Sequence, residues 1–179
     1  MIKKGVMLSA ILGLWISAIA FKKKDHITPV SLSIPQHIKE RLHSPFFPDK
    51  QNPLSQEGIE LGRQLFYDKN LSQSKEISCG SCHNQANAFT DTAQFSVGHL
   101  QQKGDMNSMP LFNMAWNTRF FWDGRAATLQ DQIHDPVIDK REMANTWADV
   151  VTYVNAQPRY QQAFKQVFNT KMIQATHIK

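Results

Sequence analysis

An all-α fold with long loops, preceded by an N-terminal signal or anchor helix, is what this sequence predicts. Apolar residues recur at helical spacing in several segments, and no stretch alternates apolar with polar residues as a half-buried strand would. Gly5 to Ile19 is an uninterrupted run of apolar and small residues behind Lys3 and Lys4. The 179 residues suit one domain plus a leader, with four Trp and eleven Phe available for a core.

The leader is expected to be residues 1–21. Lys3-Lys4 forms its positive end, and Ala18-Ile19-Ala20 offers a cleavage site before Phe21. An uncleaved membrane anchor is the equal alternative, since a run of about 17 residues is at the short end of a span. Either leader sends the chain across the cytoplasmic membrane, so a periplasmic location is expected, free or tethered to the inner membrane. Residues 22–52 read as a polar tether punctuated by Pro29, Pro35 and Pro48, with a short helical piece from Gln36 to Leu42. The domain is expected to occupy residues 53–179.

Within it, Ser55 can cap a helix to Tyr67 whose apolar positions are Ile59, Leu61, Leu65 and Phe66. Asp68 to Lys75 is polar and turn-like, and Ser78 can cap a helix carrying two cysteines. Thr90 to Asn107 has no helical period and holds Gly98 and Gly104; a segment this long without structure is usually functional. After the apolar stretch Leu111 to Trp116, Thr128 is expected to cap a helix through Leu129 and Ile133, stopped by Asp135-Pro136. Asn145 is expected to cap the next, with Trp147, Val150, Val151 and Val154 on one face. Pro158 breaks it, and Tyr160, Phe164, Val167 and Phe168 form a last amphipathic helix.

Charge excludes one class of partner. Basic residues exceed acidic ones by five, but no Lys/Arg stripe is interleaved with aromatics, so nucleic-acid binding is set aside. Lys22-Lys23-Lys24 is too short for a lipid site.

The chemistry lies in Cys79-Gly80-Ser81-Cys82-His83. On a helix, positions i and i+3 share a face, so two thiols can add to the two vinyl groups of one haem while His83 reaches the iron. The protein then fixes the orientation of the haem and its second axial position. Other readings of two cysteines three apart are a thioredoxin-like pair, a zinc site and a disulfide. The first needs a βαβ context, the second further ligands, and the third leaves the adjoining His without a use. The domain is therefore expected to be cytochrome c-like, with one covalent haem c.

From about Leu61 to Glu142 the chain resembles the N-terminal half of the bacterial di-haem cytochrome c peroxidases. The strings that carry the resemblance are Leu61 to Asp68, Ile77 to His83, Ser96-Val97-Gly98-His99, Asn107-Ser108-Met109-Pro110 and Phe121 to Ala126. The resemblance implies that this haem is the peroxide-facing one and that His99 is its second axial ligand at rest. A ligand on a Gly-flanked loop can leave when the loop moves. It further implies that Glu142 is the catalytic acid/base, that Gln132 is a distal amide that hydrogen-bonds peroxide, and that Trp122 lies on the electron path between two haems. Taken alone, Glu142 and Gln132 would be ordinary exposed polar residues, His99 a surface histidine and Trp122 a core residue. Asn107 matches one ligand of a calcium ion whose other ligands lie in the family's second half.

With only two cysteines, these residues carry one C-x-x-C-H where the family has two. The chain is thus expected to be the peroxidatic half, lacking the second haem domain. Reduction of peroxide to water takes two electrons, one of which the second haem supplies in the family, so weak activity is expected of this half by itself. The leading expectation is a periplasmic cytochrome c peroxidase. It would take hydrogen peroxide as substrate, a small cytochrome c or cupredoxin as electron donor, and a second haem domain as partner. The alternative is a mono-haem electron carrier in which Met106, Met109 or Met114 is the sixth ligand. A related di-haem oxidase of the methylamine-utilisation type is the third reading.

Overall fold

The computed structural model describes residues 27–43 and 52–179. The leader, and the ends of the tether, lie outside them. Among the described residues seven α-helices follow in order: α1 (Gln36–Lys39), α2 (Gln56–Tyr67), α3 (Cys79–Cys82), α4 (Leu129–Ile138), α5 (Trp147–Ala156), α6 (Pro158–Phe168) and α7 (Ala175–Ile178). Four single-turn 3₁₀ segments lie between them, and among the described residues there are isolated β-bridges but no strand. The mostly helical architecture is the one expected.

The core forms where α2 and α5 pack on α6. Leu61 and Leu65 from α2, Val150 and Val154 from α5, and Tyr160 and Phe164 from α6 bury their side chains there, with Val137, Met143 and Ile173. Burying side chains of this size contributes roughly 1.5–3 kcal/mol each. A polar clamp ties the same helices. The buried carboxylate of Asp68, just past α2, accepts hydrogen bonds from the Tyr160 hydroxyl (2.7 Å), the Tyr153 hydroxyl (3.0 Å) and Arg159 Nη2 (2.7 Å).

The helix starts follow local chemistry. Ser55 Oγ accepts from the Gly58 N–H (3.1 Å) and caps α2. The Ser78 N–H donates to Ser81 Oγ (3.0 Å) at the head of α3. Thr128 and Asp131 cap α4 reciprocally. The described part of the 22–52 segment is pinned to the domain: Glu57 accepts from both the backbone and the hydroxyl of Thr28 (2.8 and 2.9 Å).

Three boundaries differ from expectation. Helix α4 runs through Pro136 to Ile138 instead of stopping there. Pro136 sits in the last turn, so its missing N–H removes a single bond, while the Asp139 N–H still reaches the Asp135 carbonyl (2.8 Å). Helix α5 is capped by Thr146, not Asn145. The Asn145 side chain is instead drawn to the Leu71 carbonyl (2.8 Å), a partner distant in sequence. Finally, α6 is not the last helix: α7 follows it and packs on α5.

Candidate functional site

Loop Asp91–Asn107, the turn at Asp139–Met143 and helices α2, α3 and α4 surround one cavity of about 500 Å³, a size suited to a bound cofactor. Cys79, Cys82 and His83 line one part of it; Trp122, Gln132, Asn107 and Glu142 line others. Side chains spread over more than sixty residues of sequence thus meet around a common space. The walls are largely apolar, with Leu65, Leu71, Val137 and Val150 shared between cavity and core.

Helix α3 is held close to α2 by its glycine. A Cβ on Gly80 would fall 2.5 Å from the Tyr67 ring, so only glycine allows this approach. Both cysteines are free thiols, and burial pushes the Cys79 thiol up to about 11 and raises that of Cys82 as well. Both are protonated, neutral thiols at neutral pH. Among the described residues, no group of three or more His, Cys, Asp or Glu side chains is arranged to hold a metal ion.

His83 is oriented by a turn with two consecutive left-handed residues, Ala88 and Phe89 (φ of +56° and +57°). That turn brings the Phe89 carbonyl within 2.9 Å of His83 Nδ1. With Nδ1–H donating to this carbonyl, Nε2 keeps its lone pair free, the arrangement a metal-ligating histidine needs. Phe66 packs edge-on against Phe89 and tilted against the His83 ring. Two thiols, an oriented imidazole and an apolar cavity fit a covalently attached haem; Cys79 and Cys82 would hold it and His83 would ligate its iron.

Glu142 follows the Asp139 turn, its N–H bonded to the Asp139 carbonyl (3.0 Å). No hydrogen bond to its carboxyl is formed among the described residues. The residue is exposed and lines the cavity. Desolvation by the protein packed around its carboxyl, reinforced by the negative charge of Asp139, raises its pKa from the ordinary Glu value. Gln132 is buried on α4 and reaches the same cavity.

Trp122 is 60% exposed, and its Nε1–H donates to the Asn107 carbonyl (2.8 Å). It lies at the cavity wall, not in the core. The Asn107 amide donates to the Ala93 carbonyl (2.8 Å). His99 is half-buried and does not line the cavity; its Nδ1 is buried without a hydrogen-bond partner. Its backbone N–H donates to the Glu142 carbonyl (2.8 Å), so the loop rests on the turn that carries Glu142. Met106, Met109 and Met114 also line the cavity.

One contributor was not evident in the sequence. Arg141 bridges Asp139 (3.2 Å) and Asp105 (3.0 Å), joining the loop to the Glu142 turn. Adjacency to Glu142 was its only visible signal.

Known proteins resemble this chain in sequence and in fold. The cytochrome c551 peroxidase of Nitrosomonas europaea is 40% identical over 118 residues, covering 66% of this chain and 35% of that protein. The methylamine utilization protein MauG of Methylorubrum extorquens is 36% identical over 130 residues, covering 72% and 37%. The crystal structure of a MauG-like protein associated with microbial copper homeostasis superposes with a TM-score of 0.74 at 30% identity, covering 83% of this chain and 43% of that one. The chain spans about a third of the length of the curated relatives it matches. The model of the di-haem cytochrome c peroxidases matches residues 56–179, which include the cysteine pair, His83, the loop and Glu142, and the chain belongs to that family.

Proposed function

We propose that this chain is the peroxide-facing haem domain of a periplasmic cytochrome c peroxidase. It reduces hydrogen peroxide to water with electrons from a small cytochrome c or cupredoxin. The observation that carries the reading is the single cavity bordered by Cys79, Cys82 and His83 and also by Glu142 and Gln132. The haem, when bound, supplies the redox chemistry.

The side chains do the rest. Cys79 and Cys82 would hold the haem covalently, and His83 Nε2 would ligate it, with Nδ1–H anchored on the Phe89 carbonyl. The Glu142 carboxylate takes the proton from one peroxide oxygen and returns it to the other, for which a pKa raised above the ordinary Glu value is favourable. The Gln132 amide hydrogen-bonds the peroxide. His99 would serve as a removable ligand, carried on a loop able to move. Trp122, at the exposed rim, lies on the electron path from a second haem domain. Calcium at Asn107 would draw its remaining ligands from outside the described residues.

The test is peroxide consumption by the haem-loaded chain supplied with reduced cytochrome c, native against Glu142→Gln. Removing a general acid/base is expected to slow the reaction by roughly 10²–10⁴-fold; equal rates would overturn the reading.

Three methionines at the same cavity favour one competing reading, an electron carrier with a thioether sixth ligand. A near-infrared sulfur-to-iron band from the haem-loaded chain would establish the carrier. Two-histidine signals would establish the peroxidase domain.

A further inference from the structure

The loop that carries His99 and the turn that carries Glu142 are joined at three points. The His99 N–H donates to the Glu142 carbonyl at 2.8 Å. Gly98 lies so close to the Arg141–Glu142 peptide that a Cβ there would stand 2.0 Å from the Arg141 carbonyl oxygen. The Arg141 side chain spans the gap, with Nη1 3.0 Å from Asp105 Oδ2 on the loop and Nη2 3.2 Å from Asp139 Oδ2 at the start of the turn.

Arg141 is itself held for this task. Its own N–H donates to Asp139 Oδ1 (2.7 Å), so the turn is closed by the carboxylate that also orients the guanidinium. The loop is closed on itself: the Gly98 N–H donates to the Gln102 carbonyl (2.8 Å), the Gln102 N–H to the His99 carbonyl (3.1 Å) and the Gly104 N–H to the Ser96 carbonyl (3.1 Å). Leu100 and Gln101 are both left-handed (φ of +51° and +60°), a conformation non-glycine residues adopt at a cost, and Leu100 is 72% exposed. A loop closed on itself and fixed to the domain at its base moves as a unit when those attachments loosen.

We propose that Arg141 is a positioning residue. By bridging Asp139 and Asp105 it fastens the His99 loop to the Glu142 turn, so that withdrawal of His99 from the haem and presentation of the Glu142 carboxyl to the cavity occur together. The proposal rests on the reading of His99 as removable ligand and Glu142 as acid/base. In the fastened position His99 stays out of the cavity wall; loosening the bridge gives His99 easier access to the iron.

The experiment compares the haem-loaded native chain with Asp105→Asn, Arg141→Gln and the double variant. Each is followed by amide hydrogen exchange and by the fraction of iron showing two-histidine coordination. Each single change is expected to speed exchange at Gly98 and His99 about two- to fivefold, the range of an exposed ion pair, and to raise the two-histidine fraction in parallel. The double variant is expected to be no worse than Arg141→Gln alone, because both changes break one bridge.

Unchanged exchange at Gly98 and His99, or single effects that add in the double variant, overturns the proposal. Faster exchange with an unmoved iron spectrum marks a merely structural ion pair and overturns it too. His99→Ala is the control for the underlying reading. If it leaves the two-histidine signal intact, His99 is not the ligand and the underlying reading fails, whatever the exchange cycle shows of the Arg141 bridge.

Discussion

At the scale of single residues, Glu142 and Asp68 are carboxylates shifted in opposite directions. Glu142 lies against low-dielectric protein and faces Asp139, with no hydrogen bond to its carboxyl among the described residues, so its pKa is raised. Asp68 is also penalised by burial, but donors from Tyr160, Asn70 and Tyr153 outweigh that penalty and its pKa is lowered. The consequences for stability have opposite signs. Glu142 favours the folded state in its protonated form, so its contribution is present below the ordinary Glu pKa and is lost as pH rises through the raised value. Glu142→Gln is therefore expected to unfold later than native at neutral pH and together with it in acid, while losing peroxide turnover. Denaturant titrations at pH 3 and pH 7 check this; a neutral-pH stability at or below native would contradict it. Turnover in the native chain should rise with pH through the raised Glu142 value, because the carboxylate is the form that accepts a proton. A pH–rate profile shows whether that limb disappears in the variant.

At the scale of elements, the Asp68 clamp joins α2 to α5 and α6 through three side-chain donors. Its stabilisation is present above the ordinary Asp pKa and is lost as pH falls through the lowered one. Asp68→Ala leaves the buried Tyr160 hydroxyl without its acceptor, and a loss of about 2–4 kcal/mol is expected from the broken charged hydrogen bonds. The difference from native should shrink in acid, where native Asp68 is protonated too. Helix α5 depends on a local device. Thr146 Oγ1 accepts from the Asp149 N–H at 3.1 Å and donates to the Asp149 carboxylate at 2.7 Å. Thr146→Ala is expected to cost about 1 kcal/mol, read from the denaturation midpoint, whereas Asn145→Ala acts through its lost bond to the Leu71 carbonyl instead.

For the molecule as a whole, cavity and core share walls. Leu65, Leu71, Val137, Met143 and Val150 belong to both. A cofactor filling the cavity therefore buries the far side of the residues that hold α2, α4 and α5 together, and its attachment is coupled to folding. The Cys79→Ser/Cys82→Ser variant, which cannot form thioethers, is expected to lose haem on acid–acetone extraction. It should also melt several degrees below the haem-loaded native chain. Haem that survives extraction in the variant, or a melting temperature unchanged from native, would contradict this coupling.

Several features were legible in the residues themselves because their causes are local. Ser55 and Thr128 cap by accepting from backbone N–H groups three positions on, the Ser78 N–H is taken up by the nearby Ser81 hydroxyl, and apolar periodicity reports which face of α2, α5 and α6 is buried. The attachment motif is local as well: two thiols and an imidazole within five residues need only one turn of backbone to share a face. What the sequence could not convey depends on partners far along the chain. Asn145 yields the cap of α5 to Thr146 because Leu71 offers it a carbonyl. Gln132 is buried because α4 turns it toward a cavity built by other segments. Trp122 reaches the rim instead of the core, where Asn107 supplies its hydrogen-bond acceptor. The resemblance assigned roles to Glu142 and His99, but only the fold brings Glu142 to the cavity and binds the His99 loop to its turn through Arg141 and Asp105. The sequence by itself determined most of the helices, the Cys79–His83 motif and the family. The tertiary structure alone decided which distant polar groups meet, because burial and hydrogen-bond pairing between them exist only once the chain has closed around the cavity.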